Sequence, residues 1–168
     1  MRDVLRQRPC AHLSFSAFAL LLAACAPPAP SATVPDIAVQ DVAAGSWRAT
    51  LDAEGGYAAT SFGPSERDDL FRVFCSLPVG RVTLQSAHTL PHDQETTMTI
   101  HTAARAIALP ARSENLPDGA LVFAQLDGVD PRLAALSQAQ QRLTIEVEGV
   151  ALVIPWHDSI AQTLRACG

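Results

Sequence analysis

The sequence predicts a mainly β protein: an antiparallel sandwich or barrel-like sheet, with a short helix near 130–140 and a C-terminal helix tied to the sheet by a disulfide. Short apolar segments recur at a spacing of roughly 10 residues between turn residues, the pattern of antiparallel all-β folds. Only two segments have helical spacing, so the regular strand–helix alternation of a parallel sheet is absent. Two cysteines, Cys75 and Cys167, both fall on the apolar face of their own segment.

Along the chain, Trp47 to Leu51 alternates, with Trp47, Ala49 and Leu51 on one face. Glu54-Gly55-Gly56 is a turn signal, and Tyr57 to Phe62 is the next strand. Leu70 to Leu77 sets Phe71, Val73, Cys75 and Leu77 on one face; the other face, Leu70, Arg72, Phe74 and Ser76, is mixed. Arg81 to Gln85 turns Val82 and Leu84 inward. Thr97 to Thr102 turns Met98 and Ile100 inward, with Thr97, Thr99 and His101 outward. Arg105 to Leu109 is short, and Pro110, which cannot donate to a ladder, limits it to an edge or an end. Ala120 to Leu126 is apolar on both faces and reads as central. Leu143, Ile145 and Val147 alternate with Thr144, Glu146 and Glu148, and Gly149 turns the chain back into Ala151 to Ile154, a hairpin.

The first helix begins at Asp130-Pro131, an N-cap followed by proline at the first helical position, and ends near Gln140. The second runs from Asp158 or Ser159 to about Ala166. Ile160, Leu164 and Cys167 lie at i, i+4 and i+7, so Cys167 shares the helix's core face. Strand period and helix period thus aim both thiols at one core.

Residues 1–24 have a different character. Arg2, Arg6 and Arg8 form a basic start, and an apolar run follows from about Ala11 to Leu22. A run this short falls below the roughly 20 residues of a spanning helix and reads as a secretory signal that is removed. Leu22-Ala23-Ala24-Cys25 resembles the lipobox of bacterial lipoproteins, position by position. The resemblance implies cleavage before Cys25, a thioether-linked diacylglycerol on Cys25 and an acyl chain on its nitrogen. Several acyl chains anchor stably where one is marginal. Ala26, in place of aspartate, leans by the enterobacterial sorting rule toward the outer membrane.

Residues 25–44 read as a tether. Ala26 to Pro35 is rich in proline and alanine, which favours polyproline II, and ten residues at roughly 3.1 Å each span about 30 Å. Residues 45–168 then form one β-rich domain facing the periplasm. In that compartment Cys10 leaves with the signal, Cys25 takes the lipid, and Cys75 and Cys167 pair. Neither is part of a Cys-x-x-Cys motif or a ligand cluster, so the pair is structural.

The net charge is −5, with no lysine and with scattered arginines. There is no basic stripe for nucleic acid. An acidic domain is repelled by anionic lipid, which leaves the anchoring to the acyl chains.

Two clusters of reactive residue types stand out. His88, His92, Asp93, Glu95 and His101 could hold a metal or a small ligand. Pro91 and the flanking strands make that stretch a loop, where His-x-x-x-His spacing loses its helical meaning, so no metal ligand is assigned. His157-Asp158-Ser159 has the residue types of a nucleophilic triad, but neighbours on one backbone rarely meet side chain to side chain, and there is no Gly-x-Ser-x-Gly elbow. An N-cap at Asp158 or Ser159 is the simpler reading, and no catalytic residue is assigned. Trp47, Trp156 and the phenylalanines fill the core, with Trp156 alternatively lining a groove.

Over residues 45–168 the pattern loosely resembles small exported proteins of α-proteobacteria. The shared features are Trp47, Cys75, Val153-Ile154-Pro155 and Leu164 to Cys167. That resemblance brings no site residues. The expectation is a membrane-anchored envelope protein without a cofactor, a non-catalytic binding or structural module with a possible envelope protein as partner. The alternative is a small-molecule or metal binder using the His88–His101 region.

Overall fold

The structure, a computed structural model, describes residues 41–91, 93–116 and 119–168. The expected signal, Cys25 and nearly all of the tether lie outside them. The elements are β1 (Ser46–Asp52), β2 (Tyr57–Gly63), β3 (Phe71–Ser76), β4 (Arg81–Ser86), β5 (Glu95–His101), β6 (Ala106–Leu116) and β7 (Gly119–Asp127). Helix α1 (Pro131–Ser137), β8 (Arg142–Val147), β9 (Val150–Pro155) and helix α2 (Asp158–Cys167) follow. The strands form one antiparallel sheet in the order β1-β2-β3-β4-β7-β6-β5-β8-β9. β7 is central, as its two apolar faces require.

The two ends of this sheet are drawn together. The Ala43 N–H donates to the Val153 carbonyl at 2.8 Å, and Trp47 Nε1–H donates to the Pro155 carbonyl at 3.0 Å. The result is a barrel-like curl. Its inward alternate residues, among them Phe62, Phe71, Leu84, Met98, Ile100 and Ile145, form one core with Leu133 and Leu136 of α1 and Ile160 and Leu164 of α2. The amphipathic helices bury their apolar stripes against the sheet because neither is stable alone at this length.

Cys75 and Cys167 are bonded, with Cα atoms 5.6 Å apart across 92 residues. Cys75 is fully buried on β3, and α2 packs against β1, β2 and β3. Closing a loop of this length is worth about 4–5 kcal/mol in the chain-entropy model. Glycine makes the close approach possible. A Cβ on Gly128 would sit 2.6 Å from the Cys167 carbonyl oxygen, and the Gly128 N–H donates to the Gly80 carbonyl at 2.6 Å.

Pro110 does not end its strand, but it does occupy a local edge. β6 is longer than its apolar segment and lies inside the sheet, between β5 and β7. Its ladder to β5 covers Ala106 to Arg112, whereas its ladder to β7 starts only at Arg112 and runs to Leu116. Pro110 falls where β6 has no partner on β7, so its missing N–H breaks no ladder bond there. α1 stops at Ser137 rather than Gln140, and the chain reverses at Gln141 with φ of 68°.

Candidate functional site

His88 follows β4 and is buried. Its Nε2 lies 3.2 Å from the Val150 carbonyl, which can only accept, so Nε2 carries the hydrogen. Nδ1, 3.0 Å from Ser86 Oγ, is then the acceptor of that hydroxyl's hydrogen. Burial pushes the His88 pKa below its usual value, and the Val150 bond offsets this only in part. The neutral ring is a brace between β4 and the β8–β9 turn, with both nitrogens in use.

His101 lies elsewhere. It sits opposite Thr144 near the start of β8, far along that strand from the turn that His88 touches. Its Nε2 is 3.1 Å from Glu146 Oε2 across the strand pair. Thr96 Oγ1 donates to Glu148 at 2.5 Å. The structure therefore does not bring His88 and His101 together, and His92 lies outside the described residues. Among the described residues, no group of three or more His, Cys, Asp or Glu side chains is set to hold a metal.

Two of the three residue types at 157–159, His157 and Ser159, do meet side chain to side chain. His157, not Asp158 or Ser159, is the N-cap of α2: its Nδ1 accepts from the Ser159 N–H at 3.2 Å. Ser159 Oγ lies 2.9 Å from the same nitrogen and 2.6 Å from Thr60 Oγ1, which donates to the Arg48 carbonyl. Ser159 is buried, and the His157 ring stacks on Trp47 at 6.1 Å between centroids. This chain of hydroxyls works as a cap and brace that pins the start of α2 to β2. Trp156 is likewise partly buried against the core, and its Nε1–H donates to the Leu136 carbonyl at 3.2 Å.

The outward face of the sheet carries what the sequence reading treated only as a mixed face. Phe74 stacks on Tyr57 at 5.6 Å, and the Arg72 guanidinium sits 5.7 Å over the Phe74 ring. Beside them, on β1 to β3, lies an open concavity of about 470 Å³ lined by residues including Arg48, Thr50, Glu66, Asp69 and Arg72. Arg48 is committed there: it bonds Asp69 at 2.5 Å and the Gly63 carbonyl at 3.2 Å. A second concavity of about 450 Å³ opens on β5 to β7, lined by Glu95, Pro110, Arg112, Phe123 and Gln125 among others. The signal available in the sequence was Arg72-x-Phe74, two large side chains two apart on the strand face opposite Cys75. Both concavities are wide and open, shapes that suit a protein surface better than an enclosed small ligand.

No family model, curated protein or solved structure matches the chain. Among the described residues, no helix is long and apolar enough to cross a membrane.

Proposed function

We propose that this chain is a lipid-anchored envelope protein whose β domain is a non-catalytic binding or structural module facing the periplasm. The observation that carries the reading is Leu22-Ala23-Ala24-Cys25 placed directly after a basic and then apolar start. The Cys75–Cys167 bond supports it, because such bonds persist in oxidising compartments and are rare in the cytosol. The acidic balance supports it too: without a basic face, membrane attachment falls to acyl chains on Cys25. The half-buried Phe74, Phe123 and Arg72 and the exposed Arg112 of the outer sheet face are residue types favoured at protein interfaces.

In-cell crosslinking of the tagged full-length chain, followed by mass spectrometry, tests the reading. Envelope partners that vanish with Cys25→Ala are the expected result. The same partners with and without Cys25, or none with either, contradict a binding role at the membrane.

A further inference from the structure

The start of α2 holds more contacts than its hydrogens can fill. His157 Nδ1 lies 2.9 Å from Ser159 Oγ, Ser159 Oγ lies 2.6 Å from Thr60 Oγ1, and Thr60 Oγ1 lies 3.1 Å from the Arg48 carbonyl oxygen. Each contact needs its own hydrogen, and the two hydroxyls supply one apiece. Ser159 and Thr60 are only 3% and 1% exposed, so bulk water does not complete the set. While Nδ1 caps the Ser159 N–H it carries no hydrogen, and one of the contacts stays empty. A proton on Nδ1 fills it: Nδ1–H donates to Ser159, Ser159 to Thr60, and Thr60 to the Arg48 carbonyl. The same proton ends the cap, because a ring nitrogen that bears hydrogen cannot accept from the Ser159 N–H. His157 is exposed, so solvent can deliver the proton.

We propose that His157 is a proton-operated switch at the start of α2. Neutral, it caps the helix's own backbone. Protonated, it releases the Ser159 N–H and ties α2 through two buried hydroxyls to β2 and β1. Two effects oppose each other in the protonated state. The completed, charge-assisted relay favours it, and the positive end of the helix dipole disfavours it. The charges on the surrounding elements are few. On α2 they are Asp158, beside the ring in the first turn, and Arg165 in the last. On β1, Arg48 turns its guanidinium to Asp69, and Asp52 accepts from the Gly55 N–H. β2 and β9 carry no charged side chain, and Tyr57, at the far end of β2, stacks on Phe74. Arg72 of β3 lies over Phe74, Arg132 of α1 bonds Asp130, and Arg142 of β8 lies opposite Pro155. The ring itself stacks on Trp47, whose indole holds Pro155, so the switch sits where the ends of the sheet are drawn together. Histidine is the side chain that changes charge between pH 5 and 8, so the device responds to mild acidification. It does not rest on the anchor reading.

The test is nitrogen NMR of the imidazole rings in the full-length chain, with amide exchange at Ser159 followed over the same pH range. His157→Gln assigns the ring signals. The expected result is a neutral ring with no hydrogen on Nδ1. As that ring takes up a proton, protection of the Ser159 amide, corrected for intrinsic exchange, is expected to fall several-fold. His157→Asn, a cap that does not titrate, is expected to hold that protection constant. Thr60→Val removes the middle of the relay, which takes two bonds from the protonated state and one from the neutral state. It is expected to lower the His157 titration midpoint by about half a pH unit, and Thr60→Ser to restore it. A neutral ring with its hydrogen on Nδ1, Ser159 protection unmoved by the titration, or a midpoint indifferent to Thr60→Val in a folded chain would each overturn the switch. The first two readouts need no substitution at Thr60.

Discussion

Trp47 and Pro155, 108 residues apart, are joined by a hydrogen bond from the indole N–H to the proline carbonyl. The same indole lies 5.3 Å from the Phe62 ring and stacks on His157. One side chain thus ties the first strand to the last and to the start of α2. Trp47→Phe keeps an aromatic ring and removes the donor. It is expected to cost about 1–2 kcal/mol, read as a lower urea midpoint at unchanged slope.

The disulfide staples α2 to β3. Its removal by the double substitution Cys75→Ala and Cys167→Ala is expected to cost about 2–5 kcal/mol. Thermal unfolding monitored by circular dichroism checks this. An unchanged midpoint would show that α2 is held by its apolar face alone.

Gly128 is required for a reason of space. Gly128→Ala places a methyl group 2.6 Å from the Cys167 carbonyl oxygen, which is backbone and cannot rotate away. The expected cost is about 1–3 kcal/mol. Gly149→Ala serves as the comparison. Nothing lies within 4 Å of a Cβ at Gly149, so its cost comes from its φ of 76° alone.

His88 makes stability depend on pH. Its folded pKa lies below the ordinary 6.5 because burial disfavours the charged ring. As pH falls below 6.5, the unfolded chain takes up a proton that the folded chain refuses. Stability is therefore lost with falling pH, from about 6.5 down to the lowered folded pKa, and is independent of this group above that window. Urea midpoints across the window, compared with those of His88→Gln, check this. The substituted chain is expected to have a flatter profile.

Much of the fold is legible in the sequence because period-2 and helical patterns act locally. Phe71, Val73 and Cys75 alternate with Arg72 and Phe74, and burial follows that alternation. Ile160 and Leu164 point to the core together, and Cys167 reaches the bond with Cys75 that both periods predict. Pro110 keeps the edge character its chemistry demands, because β6 pairs only with β5 there; the continuation of the strand past it depends on the change of partner near Arg112, which no local pattern encodes. The cap at His157 was missed because histidine is not among the usual capping residues; its Nδ1 does the work of an oxygen. The separation of His88 from His101 depends on strand order, which no local pattern encodes.

The central claim is the anchor, and its most direct test is the chemistry at Cys25. Cells expressing the full-length chain would be fed a clickable fatty acid, and the purified protein examined for label and for the mass of its N-terminal peptide. The account predicts a labelled chain that begins at an acylated Cys25 and a Cys25→Ala chain without label. An unlabelled chain that retains residues 1–24, or one cleaved at another position, would contradict it.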